Sequence, residues 1–268
     1  MQKITFILAL VAVLLGLYAV THSGGNGTAP KAETTAERVL RTGTIRCGYN
    51  TWPRYLEKHD DQKFTGFNYD LMMEIGKRLS LNIEWAEEAP WDAALTGITA
   101  GRYDMFCFPL YINGGRARAA VFSTSIAYLP AYVFMRADDG RYDGTNLNKL
   151  NDPKFTMSFI EGDISGILAN HLFPNAQKDA LSQTQGATMI IRDIAAKKSD
   201  FTVTEKSFVD DYNATNTPKL KVVGPPVFSN PFAYPLPNDL QFKSMIDSAI
   251  IELQHDGSLE RIYKKNGY

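Results

Sequence analysis

Apolar positions along this chain alternate between short dense runs and stretches of helical spacing. Thr44 to Tyr49 (TIRCGY) is a strand-like run, and Asn68-Tyr-Asp70 opens a stretch in which Leu71, Met72, Ile75 and Leu79 share one helical face. Asn82 to Trp85 reads as the next strand. Trp91, Leu95 and Ile98 mark a second amphipathic helix stopped near Gly101, and Met105 to Leu110 returns as a strand. Such a β-α-β-α-β series predicts a largely parallel sheet covered by helices. A second series follows Asp139-Gly140: Phe155 to Ile160 as strand, Gly162 to Phe173 as loop and helix, Ala187 to Lys198 as helix, and Phe201 to Val203 and Leu220 to Val223 as strands. Past Pro225-Pro226 and Pro231-Phe-Ala-Tyr-Pro235, Phe242, Ile246, Ala249, Ile250 and Leu253 define a long helix stopped by Gly257. A short one carries Leu259, Ile262 and Tyr263. No internal repeat or low-complexity tract interrupts this order.

Length and composition fit two α/β lobes: 268 residues at 44% hydrophobic content can bury two sizeable cores. A net charge of −1 without a basic run excludes a nucleic-acid binder, which would need cations to neutralise a row of phosphates. Ile4 to Val20 is charge-free and mostly apolar after Lys3, and small, polar, breaker-rich residues follow it. Residues 1–23 are therefore expected to be a signal peptide or a membrane anchor, the stretch being intermediate between a signal core and a full span. Leu17-Tyr18-Ala19 and Thr21-His22-Ser23 are mediocre cleavage sites, so cleavage stays open, and a lipid anchor is not expected without a nearby cysteine. Either outcome places the remainder in the periplasm, free or tethered to the inner membrane. Residues 24–36 read as a flexible linker.

Cys47 and Cys107 each sit in an apolar strand-like run. They could pair if their strands are neighbours, or stay as two buried thiols, and the balance falls to free thiols. Neither they nor the scattered His22, His59, His171 and His255 have metal-site spacing, so no metal is expected. Arg116 lies twelve positions after Asp104, in a turn that closes a short apolar run, with Phe122-Ser123 beyond it. A guanidinium so placed can present a planar fork of donors to a small anion, or pair with a local surface acid.

Taken in order, these segments resemble the type II periplasmic solute-binding proteins, the family 3 receptors of polar amino acid ABC importers. The similarity runs from about Glu37 to Lys265. It is carried by Trp52-Pro53-Arg54-Tyr55, Gly66-Phe67-Asn68-Tyr69-Asp70-Leu71, Leu95 to Gly101-Arg-Tyr-Asp104, the Arg116 and Phe122-Ser123 pair, and Asp256-Gly257-Ser-Leu-Glu-Arg-Ile262-Tyr-Lys-Lys265. The resemblance implies a two-lobed fold with two hinge crossings, near Ile126 to Tyr132 and Phe228 to Tyr234. Residues 37–130 and 231–268 would then form lobe 1 and residues 131–230 lobe 2, closing over a ligand as a monomer that docks on importer membrane subunits, with no cofactor. By the same resemblance Arg116 matches the clamp on a ligand carboxylate, Glu205 the acid facing an ammonium group, and Trp52 and Tyr55 an aromatic wall. Glu205 could equally be a solvated acid, and Trp52 and Tyr55 core residues, although the Pro-containing turn favours the rim for the aromatic pair.

Departures from the family pattern bear on the ligand. Tyr111 stands where a small hydroxyl residue is usual, Pro109 removes a backbone donor, and the Gly-Thr-Thr loop at a lobe 2 helix N-terminus reads Gly162-Asp163-Ile164. Asp163 has two readings: it caps the helix, or it occupies the anion-binding donors and repels a carboxylate. With Glu161, Asp163 and Glu205 on one side and Trp52, Tyr55, Trp91 and Tyr111 opposite, a cationic or amine-bearing ligand fits better than a dicarboxylate. Two other functions compete with this one. One is a cyclohexadienyl dehydratase-like enzyme acting on prephenate or arogenate, with Glu205 as acid, and the other is a tethered ligand sensor.

Overall fold

The computed structural model describes residues 32–142, 144, 146–182 and 188–267, and the chain from Thr35 onward forms one compact unit. The expected export segment lies outside the described residues. Helix α1 (Thr35–Thr42) starts inside the stretch read as linker; it buries Ala36 and Val39, and Asp239 accepts the Ala36 N–H at 2.8 Å. A distant acceptor thus caps a helix that local composition could not announce.

The first sheet has the order β4-β1-β5, with β1 (Thr44–Tyr49) parallel to both β4 (Asn82–Glu88) and β5 (Met105–Phe106). Between β1 and β4 come the small hairpin of β2 (Glu57–Lys58) and β3 (Phe64–Thr65), then α2 (Phe67–Leu79). Helix α2 buries Leu71, Met72 and Ile75, as its spacing predicts, and α3 (Ala94–Thr99) connects β4 to β5. The strand expected over Met105 to Leu110 is broken. Its first residues stay in this sheet as β5, while β6 (Leu110–Tyr111), beyond Pro109, pairs antiparallel with another sheet.

After α4 (Gly114–Ala119) and β7 (Val121–Phe122), the long strand β8 (Ala127–Arg136) enters that second sheet. It continues through β9 (Thr156–Ile160), α5 (Ile164–His171), β10 (Gln177–Leu181), α6 (Thr188–Ala195), β11 (Phe201–Glu205), α7 (Lys206–Thr215) and β12 (Leu220–Ala233). The strand order is β10-β9-β11-β8-β12-β6, parallel among β10, β9 and β11 and antiparallel beyond, so this sheet is mixed rather than parallel throughout. β10 has one buried residue, Leu181, and α7 only Phe208 and Val209, so neither carries a periodic signal.

Strands β8 and β12 pair from Leu220 opposite Arg136 to Phe232 opposite Ala127, with a register shift between Val223 and Phe228. Both expected hinge crossings fall on this ribbon. The chain then returns through β13 (Pro235–Leu236), which pairs with β7, to α8 (Leu240–His255) and α9 (Ser258–Lys265), where Tyr263 stacks on Phe67 of α2 at 4.5 Å.

Cys47 and Cys107 form a disulfide with Cα atoms 5.2 Å apart, which corrects the expectation of free thiols. Cys47 is in register with Met105, and the Cys107 N–H donates to the Gly48 carbonyl, so the two residues lie on neighbouring segments of one sheet. Burial in apolar runs could not separate the two states, because both cysteines have no exposed surface and a disulfide is as apolar as two thiols.

Candidate functional site

One cavity of about 40 Å³ is lined by Trp52, Tyr55, Trp91, Tyr111, Arg116, Asp163 and Glu205, the seven residues singled out from the sequence. Space of that size accommodates on the order of one to three water molecules. Glu161, grouped with the acids in the sequence, is exposed and does not line it.

The aromatic wall is built by turns. Trp52 accepts backbone hydrogen bonds from Tyr55 and Leu56, a tight turn in which Arg54 takes φ 66°. This turn brings Trp52 to 6.2 Å from Trp91 and Tyr55 to 5.9 Å from Phe108, ring centre to ring centre. Trp91 meets Phe108 edge to face at 4.8 Å, and Tyr111 lies 5.0 Å from Phe232. Tyr55 and Trp91 are buried while Trp52 keeps partial exposure, so the aromatic pair divides between core and rim. Phe108 and Phe232 also line the cavity and were not singled out, although Phe232 falls within the expected second crossing.

The polar side is held by element ends. Glu205 ends β11 and precedes α7 without giving that helix a side-chain cap, so its carboxylate is available to the cavity. The Tyr111 hydroxyl donates to Glu205 Oε1 at 2.7 Å, and the Thr204 hydroxyl donates to Oε2 at 3.2 Å. Among the described residues no cationic side chain lies within ion-pairing distance of Glu205. Burial raises the Glu205 pKa, with the charge of Asp163 adding to it, against the Tyr111 and Thr204 donors that lower it. Burial and the facing Glu205 push the Tyr111 phenol well above its ordinary value, so it remains a donor.

Asp163 does cap α5: it accepts from the Ser165 N–H at 3.2 Å and the Ser165 hydroxyl at 2.8 Å, following Gly162 at φ 76°. Arg116, whose own N–H donates to the Asn113 side chain at the start of α4, sends Nη1 to the Tyr111 carbonyl at 3.0 Å and Nη2 to the Gly162 carbonyl at 3.2 Å. Burial lowers its pKa while Asp163 opposes that shift. Farther out, Arg54 Nη1 reaches both Asp211 oxygens at 3.1 and 2.9 Å, and Trp52 lies 5.5 Å from Phe208. Contacts of Arg116, Tyr111, Arg54 and Trp52 therefore join the two sides of the cavity. Among the described residues no cluster of His, Cys, Asp and Glu could hold a metal ion, and no helix is long and apolar enough to cross a membrane.

Residues 45–267 match the family described as bacterial extracellular solute-binding proteins, family 3. A probable amino-acid ABC transporter-binding protein of Haemophilus influenzae is 25% identical over 140 residues, 52% of this chain and 51% of that protein. A probable histidine-binding protein of Campylobacter jejuni is 25% identical over 175 residues, 65% of this chain and 61% of that one. The match thus spans about half to three fifths of the length of these curated relatives. Among solved structures, the ancestral amino acid-binding protein AncCDT-1, a precursor of cyclohexadienyl dehydratase, superposes with a TM-score of 0.76 at 18% identity, covering 87% of this chain and 98% of that one. AbpA of Streptococcus pneumoniae, bound to L-arginine, gives 0.72 at 19% identity, covering 86% and 97%. At these identities the superpositions speak to the fold.

Proposed function

Because the chain belongs to the family 3 bacterial extracellular solute-binding proteins, we propose that it captures a small amino-acid-like or amine-bearing solute in the cavity and presents it to the membrane subunits of an ABC importer. In this reading residues 37–130 and 231–268 form one lobe and residues 131–230 the other, the β8–β12 ribbon is the hinge, and the monomeric receptor works outside the inner membrane, free or tethered. The observation that carries it is the Glu205 carboxylate, set among aromatic rings with a hydroxyl donor on each oxygen and, among the described residues, no cation beside it. An ammonium group supplies the missing charge, and aromatic faces favour a cation. The elimination chemistry of a dehydratase is less well supported. Its dicarboxylate substrate needs a basic pocket, whereas the lining offers two acids and one arginine that already donates to two carbonyls.

Small-angle scattering tests the closure. A saturating solute should reduce the radius of gyration of the exported protein, because contacts from both lobes favour the closed state. Glu205→Gln, which keeps the shape and removes the charge, should weaken that solute by about 2 kcal/mol, the range of a hydrogen bond to a charged group. Tight binding without compaction, or an unaffected Glu205→Gln variant, would contradict the proposal.

Binding should also depend on pH. Tyr111, Thr204 and Asp163 act on Glu205, and with burial leading, its pKa in the ligand-free protein is raised. An ammonium ligand selects the carboxylate, so binding at low pH must first expel a proton. Affinity should rise with pH through the raised pKa and level off above it. The stabilising effect of the raised pKa on the ligand-free fold runs oppositely: it is present at low pH and lost as pH climbs through that pKa. Calorimetry in buffers of different ionisation enthalpy measures the proton release, and a pH-independent affinity between pH 4 and 8 would remove Glu205 from the contact.

A further inference from the structure

We infer that the solute is an organic monocation without a carboxylate, an amine rather than an α-amino acid, and that Asp163 and Arg116 together set this exclusion. The inference rests on the receptor reading above and narrows its ligand class. A zwitterionic amino acid needs two charge sites, one for its ammonium group and one for its carboxylate. Glu205 meets the first need. For the second, the cavity offers two places, and both are engaged.

The first is the N-terminus of α5, whose free N–H groups would ordinarily attract an anion. Here Asp163 takes the Ser165 N–H and hydroxyl, so an incoming carboxylate would meet a fixed negative charge at the donors it needs. The second is Arg116. Its two terminal nitrogens donate to the carbonyls of Tyr111 and Gly162, and its remaining field is offset by Asp163, the charged group that acts on it. Those bonds fix the guanidinium through two of its five N–H donors, so a carboxylate would have only the remaining ones, beside the Asp163 charge.

Charge counting gives the same answer. Asp163 and Glu205 against Arg116 leave the charged lining at −1, so one cation neutralises it and a zwitterion does not. Apart from Thr204, whose hydroxyl donates to Glu205, the rest of the wall is apolar or aromatic: Trp52, Trp91, Phe108, Ile164 and Phe232 offer surface for a hydrocarbon or aryl body and no further cation. The Tyr111 ring fills space beside Glu205 and supplies only a hydroxyl.

The test pairs each amino acid with the amine that lacks its carboxylate: phenylalanine with phenethylamine, tyrosine with tyramine, leucine with isoamylamine. Each member is titrated calorimetrically into the exported protein, with scattering on the tightest binder. The amine of at least one pair should bind more than tenfold tighter than its amino acid. Asp163→Asn, which still caps α5 but carries no charge, should narrow that gap, and Asp163→Thr offers a second capping residue if the first variant folds poorly. Amino acids that bind as tightly as their amines and compact the protein would overturn the monocation assignment while leaving the receptor reading intact. Absence of binding by every amine and amino acid would sink both, and an unchanged ratio in both Asp163 variants would overturn the role given to that residue.

Discussion

Removing the Cys47–Cys107 disulfide is expected to lower the unfolding free energy by about 4 kcal/mol, from the entropy that a cross-link of this span removes from the unfolded chain. The sequence separation is 60 residues, long enough to enclose β2, β3, α2, β4, α3 and β5. Function should suffer with stability. The Cys107 carbonyl accepts from the Asn68 side-chain amide, whose oxygen in turn accepts the Tyr234 hydroxyl at 2.6 Å. Immediately after Cys107 come Phe108, Pro109, Leu110 and Tyr111, all on the cavity wall. Urea unfolding of a Cys47→Ala/Cys107→Ala double variant beside the wild type measures the effect. A difference below about 1 kcal/mol would mean that the buried surroundings hold this segment without the cross-link. Both cysteines lack exposed surface, so a reductant should act slowly on the folded protein and rapidly once it is unfolded.

Much of the scaffold was legible because burial leaves a periodic record. Leu71, Met72 and Ile75 on α2, and Phe242, Ile246, Ala249, Ile250 and Leu253 on α8, are buried at the spacing that announced those helices. The elements that escaped notice lack such a record. Helix α7 is held by two buried residues, β10 by one, and α1 begins on an acceptor some two hundred positions away in sequence. At the candidate site, residue identity was legible and side-chain engagement was not. The sequence could place Asp163 at a helix start and Arg116 in a turn, but the hydrogen bonds of Asp163 to Ser165 and of Arg116 to Tyr111 and Gly162 depend on which carbonyls and donors the folded chain brings within reach. Glu205 is the reverse case. Its availability comes from a cap it does not form, and a capping preference read from residue type alone would not foresee that.

Asp104 marks the same limit from the side of stability, and its loss is the other large effect expected. Its carboxylate, 3% exposed, accepts from the Arg38 side chain of α1, from the Arg46 side chain of β1 at 2.9 Å, and from the Arg46 N–H at 2.6 Å. One buried acid therefore ties the first helix to two neighbouring strands of the first sheet, just ahead of the segment that becomes the cavity wall. Asp104→Ala should cost about 3 kcal/mol, the lower end for breaking a buried ion pair, because the two arginines retain 19% and 32% side-chain exposure and can turn to water. The Arg46 N–H has no such freedom. Arg38→Ala is the informative comparison: it removes one arginine but leaves Asp104 with Arg46 and its backbone donor, so it should cost only about 1 kcal/mol. Equilibrium unfolding in urea gives both numbers. If the two substitutions cost the same, the carboxylate acts through Arg38 alone and the tie between the strands has another source, whereas a threefold difference places it in the contacts with Arg46.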